Sequence, residues 1–493
     1  MSAITVSNLT FSYDNGWENI FENVSFIIDT DWKLGLIGRN GKGKTTLMKL
    51  LTKQEQYQGS IKASVDFDYF PFKVENPNLY TYEIIGKIHP DYEEWQIQKE
   101  ITLLDMQIEV LYRPFKTLSM GEQTKIMLAT LFTKKNNFLL IDEPTNHLDY
   151  YAREIVAKYL KSKKGFILIS HDRAFLDTCV DHIMSINRTN IDIQQGNFST
   201  WWENKSRQDA YERQENDRLT KDIKRLQNAS KQTLTWANKV EASKYHAPTD
   251  RFIDKGYIGH KASKMMQKVK NIQSRIQTEI DKKSTLLKNV ESTEELKIKQ
   301  VDFRKNPLLY IKDLCIEYDN KRVVNNLSFE VEKGDRILLQ GKNGSGKSSV
   351  IKLILGKSIP YTGQVSIPHD LKISYVSQES HDLKGDLKTY ISDKKIDETL
   401  LKTILRKFDF SKEHFDVRLE NYSEGQKKKF LIALSLCEQA NIFVWDEPLN
   451  YIDIFSRMQL EEMLQKYNPT MIFVEHDKDF ANAISTKVIK LTD

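Results

Sequence analysis

The chain has no apolar run approaching the 18 or more residues of a membrane-spanning helix. Its start, Met1 to Phe11, lacks a basic region followed by an apolar one, so no signal peptide is read there and a cytoplasmic protein is expected. Cysteine is scarce. The three in 493 residues, Cys179, Cys315 and Cys437, lie far apart, each inside text that reads as packed structure. That spacing excludes a disulfide framework and a thiolate metal site, and the thiols read as small buried hydrophobes in a reducing compartment. Net charge is small, +5, and by itself says little about partners. What remains is ordinary globular composition, 40% hydrophobic and 29% charged, on a chain long enough for two to four domains with full-sized cores.

The charge is unevenly placed. Between Glu203 and Gln300 there are 22 Lys and Arg against 14 Asp and Glu, so this segment is +8 and the remainder is −3. On either side of it the chain repeats itself. GRNGKGKT begins at Gly38 and GKNGSGKS at Gly341, an offset of 303. The serines of LSMGEQ and YSEGQK, Ser119 and Ser423, differ by 304, as do Asp142 of FLLIDEP and Asp446 of IFVWDEP. His171 and His476 differ by 305. Landmarks that keep one offset over more than 130 residues mark two copies of one domain.

Each copy opens on short apolar or alternating runs, Ile4–Phe11 and Leu308–Tyr318, which read as strands. Lys33–Ile37 and Arg336–Gln340 run directly into the glycine-rich loops, and helices are expected over Thr46–Leu51 and Ser349–Leu355. Phe138–Ile141, Ile442–Trp445, Phe166–Ile169 and Met471–Val474 read as buried strands. Strands alternating with helices predict an α/β domain with a mostly parallel sheet. In the middle segment Leu219, Ile223, Leu226, Thr233, Ala237 and Val240 recur near every 3.5 residues, as do Val269, Ile272, Ile276, Ile280 and Leu287. Pro248, Gly256 and Gly259 interrupt the pattern between them. The spacing predicts two long helices folded back as an antiparallel coiled coil, with a tip loop at about 245–260. At 1.5 Å per residue, each helix of about 40 residues is roughly 60 Å long. Domains are therefore expected at 1–200, 201–303 and 304–493.

Both glycine-rich loops fit G-x-x-x-x-G-K-[ST], each after a strand and before a helix. Glycines let backbone N–H groups wrap phosphates, and the following helix N-terminus adds positive potential. Lys44 and Lys347 are placed to reach the β and γ phosphates, and Thr45 and Ser348 to ligate Mg²⁺. Asp142 and Asp446 end apolar strands, where a carboxylate can hold the Mg²⁺ shell; Glu143 and Glu447 follow as candidate general bases for an attacking water. The alternative for such pairs is a helix N-terminal carboxylate. His171 and His476 each follow a further apolar strand and are read as contacting the γ-phosphate and positioning the water.

Gly38–Thr45, LSMGEQ, IDEPTNHLD and SHD together resemble the Walker A, signature, Walker B with D-loop, and H-loop elements of ATP-binding cassettes, and the second copy carries the same set. The resemblance implies a head-to-tail cassette pair on a monomer, binding two ATP with Mg²⁺. One site pairs Lys44, Asp142 and Glu143 with Ser423 and Gly425; the other pairs Lys347, Asp446 and Glu447 with Ser119 and Gly121. It extends the nucleotide cradle to Gly38, Asn40, Gly41, Gly43, Thr45 and Thr46, and to Gly341, Asn343, Gly344, Gly346, Ser348 and Ser349. Tyr13 and Tyr318, 25 and 23 residues before their loops, fall where the family stacks a ring on adenine; a core tyrosine is the other reading. Gln378 in VSQ resembles the Mg²⁺-contacting glutamine, whereas YFPF puts Phe72 at that place in the first copy, so unequal sites are expected. The second copy also has Leu449 where the first has Thr145, and a signature beginning YSEG.

Two cassettes on one chain, joined by a basic helical linker of about 100 residues and without a membrane domain, resemble the ABC-F proteins over essentially the whole chain. Walker A to signature Ser spans 81 and 82 residues in the two copies, so no sizeable arm insertion is expected. The sequence runs 17 residues beyond His476, so no C-terminal extension is expected. This plan, with GYIGHKASKMMQK in the linker, is similar to the Lsa/Vga-like antibiotic-resistance branch. The resemblance implies binding at the exit site of the bacterial ribosome, contact with 23S rRNA and P-site tRNA, and displacement of lincosamides, pleuromutilins and streptogramin A from the peptidyl-transferase centre. The contact residues expected at the tip are Lys244, Tyr245, Phe252, Lys255, Tyr257, His260 and Lys261. A +8 arm gains affinity for a dense polyanion by counterion release, and tip aromatics stack on nucleotides. The rival readings are an ABC-F translation factor without a resistance role and the ATPase subunit of a transporter.

Overall fold

The computed structural model describes the chain except residues 1, 14–18, 147, 187–190, 243–263, 265–266, 273, 279–294, 319–320, 380–382, 395 and 492–493; at 230, 233–234, 236–242 and 321 it describes the backbone alone. Residues 1–201 and 293–493 form one compact unit, and residues 202–292 form a second.

The first cassette is built on two sheets. β1 (Ala3–Phe11) lies between β2 (Phe21–Asp29) and β4 (Gln58–Lys62) in a small antiparallel sheet. The main sheet runs in the order β5 (Asp66–Phe70), β6 (Asn137–Asp142), β7 (Phe166–Ile169), β3 (Lys33–Ile37), β8 (His182–Ile186), β9 (Ile191–Gln195). It is parallel except for the β8–β9 edge. The second cassette repeats both. β10 (Leu309–Tyr318) sits between β11 (Lys321–Val331) and β13 (Tyr361–Ser366). Its all-parallel sheet has the order β14 (Ile373–Val376), β15 (Ile442–Asp446), β16 (Met471–Val474), β12 (Arg336–Gln340), β17 (Lys487–Lys490). All four residues of β7 and β16 are buried, which is why these strands are unbroken apolar text: a parallel sheet is covered on both faces.

One core layer in each cassette lies between the small sheet, the main sheet and the helix after the glycine-rich loop, α1 (Lys44–Leu51) or α8 (Lys347–Ile354). A second cluster holds a helical subdomain together. In the first cassette α2 (Thr81–Ile88), α3 (Glu94–Leu103) and α4 (Met120–Phe132) bury Ile84, Ile85, Ile97, Ile101, Leu111 and Ile126. In the second, α9 (Leu387–Lys394), α10 (Glu398–Lys407) and α11 (Glu424–Cys437) do so around Leu401, Leu405, Phe408 and Phe430. The remaining helices are α5 (Tyr150–Lys161), α6 (Arg173–Cys179), α12 (Ile454–Tyr467) and α13 (Lys478–Ile484).

The 45-residue helix α7 (Phe198–Ala242) starts the middle segment. At 1.5 Å per residue it is about 68 Å long. Its root is anchored by Phe198 and Trp201, both buried, with Trp201 edge-on to Phe455. Farther along, Leu219, Ile223 and Leu226 are half-buried. Helical residues return at 267–272 and 274–278, where Val269 is buried and Ile276 half-buried. Ile272 departs from the expected seam: three residues on from Val269, it faces outward with nearly half its surface exposed. The tip, with Lys244, Tyr245, Phe252, Lys255, Tyr257, His260 and Lys261, lies outside the described residues.

Candidate ATP sites

Each glycine-rich loop leaves the end of a central strand, β3 or β12, and turns into α1 or α8. Two positions require glycine. Gly43 and Gly346 cap these helices with φ of 91° and 87°. A Cβ there would sit 2.6 Å from Ile20 or 2.5 Å from Val324. The turn directs Lys44 Nζ onto Gly38 O (2.7 Å) and Arg39 O (3.1 Å), and Lys347 Nζ onto Gly341 O and Lys342 O (both 2.8 Å). Burial lowers both lysine pKa values, against the nearby carboxylates that raise them.

The residues expected at the metal meet as hydroxyl and carboxylate pairs. Thr45 Oγ1 donates to Asp142 Oδ2 at 3.1 Å, and Ser348 hydrogen-bonds Asp446. Among the described residues no group of three or more His, Cys, Asp or Glu is placed to hold a metal by itself. One carboxylate and one hydroxyl, completed by phosphate oxygens and water, is a hard oxygen set suited to Mg²⁺. Burial and the adjacent Glu447 push Asp446 up to about 6.

The two candidate general-base positions share a backbone conformation and differ in surroundings. Glu143 and Glu447 both hold left-handed φ, 50° and 46°. Non-glycine residues reach that region seldom, and at a site it aims a side chain at a cost the surroundings must sustain. Gln378 Nε2 (3.0 Å) and Asn450 Nδ2 (2.8 Å) both donate to Glu447 Oε2, and His476 Nε2 lies 3.5 Å from Oε1. Against burial, which alone would raise it, the hydrogen bonds and charge of His476 and the Asn450 amide bring Glu447 down to about 2. Glu143 is half-buried, and its two carboxylate oxygens lie buried without a hydrogen-bond partner among the described residues, although His171 Nε2 comes within 3.1 Å. Burial, then the Asp142 charge, push it up to about 8. His171 is held neutral by burial and by the Lys44 charge.

Sheet register explains part of the inequality. Phe70 pairs with Ile141 and Val376 with Trp445, each one residue before the strand-end aspartate. Phe72 and Gln378 are thus equivalent, two residues beyond their strands. Gln378 turns to Glu447, whereas Phe72 packs into the helical-subdomain core. In the first cassette the Tyr69 hydroxyl instead donates to Asp142 Oδ2 at 2.8 Å.

The cassettes meet head to tail. Asn40 Nδ2 donates to Tyr451 O at 3.0 Å, and a Cβ on Gly425 would lie 3.0 Å from the same Nδ2. Arg39 pairs with Asp409 and lies over the Phe455 ring, and Arg173 pairs with Glu461 at 2.6 Å. Across the other site a cavity of about 470 Å³ is lined by Met120, Asn146 and Leu148 of the first cassette and by Gly344, Lys347 and Glu447 of the second. That volume is in the range of ligand sites. Ser119 and Ser423 cap α4 and α11 in reciprocal boxes with Glu122 and Gln426, which sets the signature helices' N-termini. Gly121 lies in the first turn of α4. Tyr13 OH reaches Thr46 Oγ1 at 3.1 Å and Tyr318 OH reaches Ser349 Oγ at 3.4 Å; both rings stay more than a third exposed beside their loops.

Several groups here escaped sequence reasoning. Asn450 and Tyr69 hold the carboxylates; a tyrosine in both YFPF and SYVSQ was the available signal for the latter. Buried pairs Lys429–Asp453 (2.6 Å), Arg153–Asp172 (3.0 Å) and Arg457–Asp477 (2.8 Å) brace the D-loop and H-loop segments.

Comparison with known proteins agrees with this arrangement. The profile of the family described as "ABC transporter" matches residues 21–146 and 324–450, just over half the chain. The ribosome protection protein VmlR of Bacillus subtilis (strain 168) is 27% identical over 490 residues, covering 97% of this chain and 84% of that protein. The ATP-binding protein Uup of Buchnera aphidicola subsp. Acyrthosiphon pisum is 27% identical over 507 residues, covering 99% and 80%. The fold matches the archaeal ribosome recycling factor aABCE1, solved with the ribosomal stalk protein aP1, at a TM-score of 0.63 and 18% identity over 98% of this chain and 87% of that one. No helix among the described residues is long and apolar enough to cross a membrane. The chain belongs to the ATP-binding cassette family, as an ATPase with two cassettes in one polypeptide.

Proposed function

We propose that the protein protects bacterial ribosomes from antibiotics in an ATP-dependent cycle. It binds the exit site, contacts 23S rRNA and P-site tRNA through the middle segment, and displaces lincosamides, pleuromutilins and streptogramin A from the peptidyl-transferase centre. The observation that carries this reading is a +8 segment, opening on a 45-residue helix, between two cassettes that form composite ATP sites. Similarity to a ribosome protection protein over 97% of the chain supports it.

Lys44 and Lys347, with the loop N–H groups, hold the β and γ phosphates, and the rings of Tyr13 and Tyr318 flank adenine. Thr45 with Asp142, and Ser348 with Asp446 and Gln378, hold Mg²⁺. The ion, when bound, offsets charge on the phosphates. ATP between Lys44 and Ser423 with Gly425, or between Lys347 and Ser119 with Gly121, draws the cassettes together, and closure sets the shape that enters the ribosome. Ionised Glu447 takes a proton from the attacking water, oriented by His476; Glu143 and His171 have the same places in the first site. Hydrolysis removes the bridging γ-phosphate and releases the protein.

Expression in a susceptible bacterial strain tests this reading. Resistance to the three drug classes, lost in Lys44→Ala with Lys347→Ala, is expected. Unchanged drug sensitivity with a drug-free growth or elongation phenotype would favour an ABC-F translation factor without a resistance role.

A further inference from the structure

We propose that the helical subdomain of the first cassette carries a docking surface for an extended, arginine- and lysine-rich protein segment. Four aromatic side chains stand out from it: Tyr80, Tyr82, Trp95 and Tyr112 are 46%, 41%, 58% and 57% exposed. Three of them, Tyr80, Tyr82 and Tyr112, form an ordered group. The rings of Tyr80 and Tyr82 stack with centroids 5.9 Å apart at 15°, and Tyr82 meets Tyr112 at 6.1 Å. Carboxylates hold them at the edges: the Tyr112 hydroxyl donates to Glu94 at 2.9 Å, and the Trp95 indole N–H donates to Glu93. Beneath, the buried cluster of Ile84, Ile85, Ile97 and Leu111 fixes the backbone of α2 and α3, so the rings need not reorganise to be met.

The fold does not require these rings outside. In the second cassette, the described parts of α9 and α10 leave no large hydrophobic side chain exposed, and Tyr390 there packs against the core. None of the four belongs to the ATP sites. Contiguous exposed aromatics on a rigid support mark an interaction surface. The charge selects the partner. Between Tyr80 and Leu118 there are seven acidic and four basic residues; with Glu100 buried against Lys163, six acidic residues remain against the four on a chain that is +5 overall. A nucleic-acid backbone is repelled by that balance. A guanidinium or ammonium group gains twice, from the ring faces and from Glu93 and Glu94 beside them. This surface is separate from the basic middle segment and stands without the ribosome reading.

The test uses the full-length protein and two fluorescein-labelled probes, a twelve-residue peptide of alternating arginine and glycine and a twelve-nucleotide polyuridine, read by anisotropy. We expect the peptide to bind. Tyr82→Ala with Tyr112→Ala should weaken it at least tenfold, as should Glu93→Lys with Glu94→Lys. Glu413→Lys with Asp416→Lys, on the second cassette, should change it less than twofold. Wild-type ATPase rates in all three report an intact fold and leave the ATP sites outside the comparison. Equal peptide binding by wild type and the tyrosine variant, equal loss in the second-cassette variant, or polyuridine binding that needs the tyrosines would overturn the proposal.

Discussion

The two ATP sites should turn over at different rates, and the difference should shrink as pH rises. A general base works only when ionised, and its removal costs about 10²- to 10⁴-fold at its own site. Glu447, brought down to about 2, is ionised throughout the neutral range. Glu143, pushed up to about 8 by burial and Asp142, is ionised to about one tenth at pH 7 and about one half at pH 8. If the sites are otherwise alike, Glu447→Gln leaves only the first site and lowers phosphate release about tenfold at pH 7, while Glu143→Gln lowers it by about one tenth. The sign follows from the raised pKa: deprotonation activates Glu143, so the Glu447→Gln rate should rise about fivefold between pH 7 and pH 8. Wild type should rise less than about 1.5-fold over the same interval. The assay is steady-state phosphate release at saturating ATP and Mg²⁺ across that range. Equal losses in the two single variants, or a Glu447→Gln rate that does not change with pH, would rule out a first site limited by the ionisation of Glu143.

Three further outcomes follow from the same geometry. Tyr69→Phe removes the hydroxyl on Asp142, a hydrogen bond to a charged group worth about 1.5–3 kcal/mol. It should weaken Mg²⁺-dependent binding of a fluorescent ATP analogue at the first site roughly tenfold, and Phe72→Gln in the same chain should restore part of it. Arg457→Ala leaves Asp477 buried without its cation, at a cost of about 3–5 kcal/mol, and should lower the unfolding temperature of the second cassette by roughly 10 °C in calorimetry. In Gly346→Ala the added methyl meets Val324 at 2.5 Å with φ at 87°, so nucleotide binding should fall at the second site, read by titration in the Lys44→Ala background, and stay unchanged at the first, read in the Lys347→Ala background.

Much of the α/β framework can be read directly from the sequence. Strands buried on both faces must be unbroken apolar text, so Lys33–Ile37, Arg336–Gln340, Phe166–Ile169 and Met471–Val474 begin and end where the runs do. The glycine-rich loops were equally plain, because left-handed turns beside packed side chains admit no other residue at Gly43 and Gly346. Contacts between distant segments were not legible. Arg39 and Asp409 are 370 residues apart, and nothing in either neighbourhood announces the other. The same holds for Asn40 and Tyr451. Phe72 could be seen to replace a glutamine, but not that it enters the helical core while Tyr69 takes hold of Asp142. The stacked tyrosines on the first cassette were also hidden, since tyrosine suits a packed position and an exposed one equally, and only the register of α2 decides.

We propose that the ATP-bound, closed cassettes form the ribosome-binding state. The most direct test is sedimentation of the Glu143→Gln, Glu447→Gln double variant with bacterial ribosomes, with and without ATP. The variant should pellet with ribosomes when ATP is present and stay in the supernatant without it. A variant that binds ATP at both sites yet never pellets with ribosomes would contradict the claim.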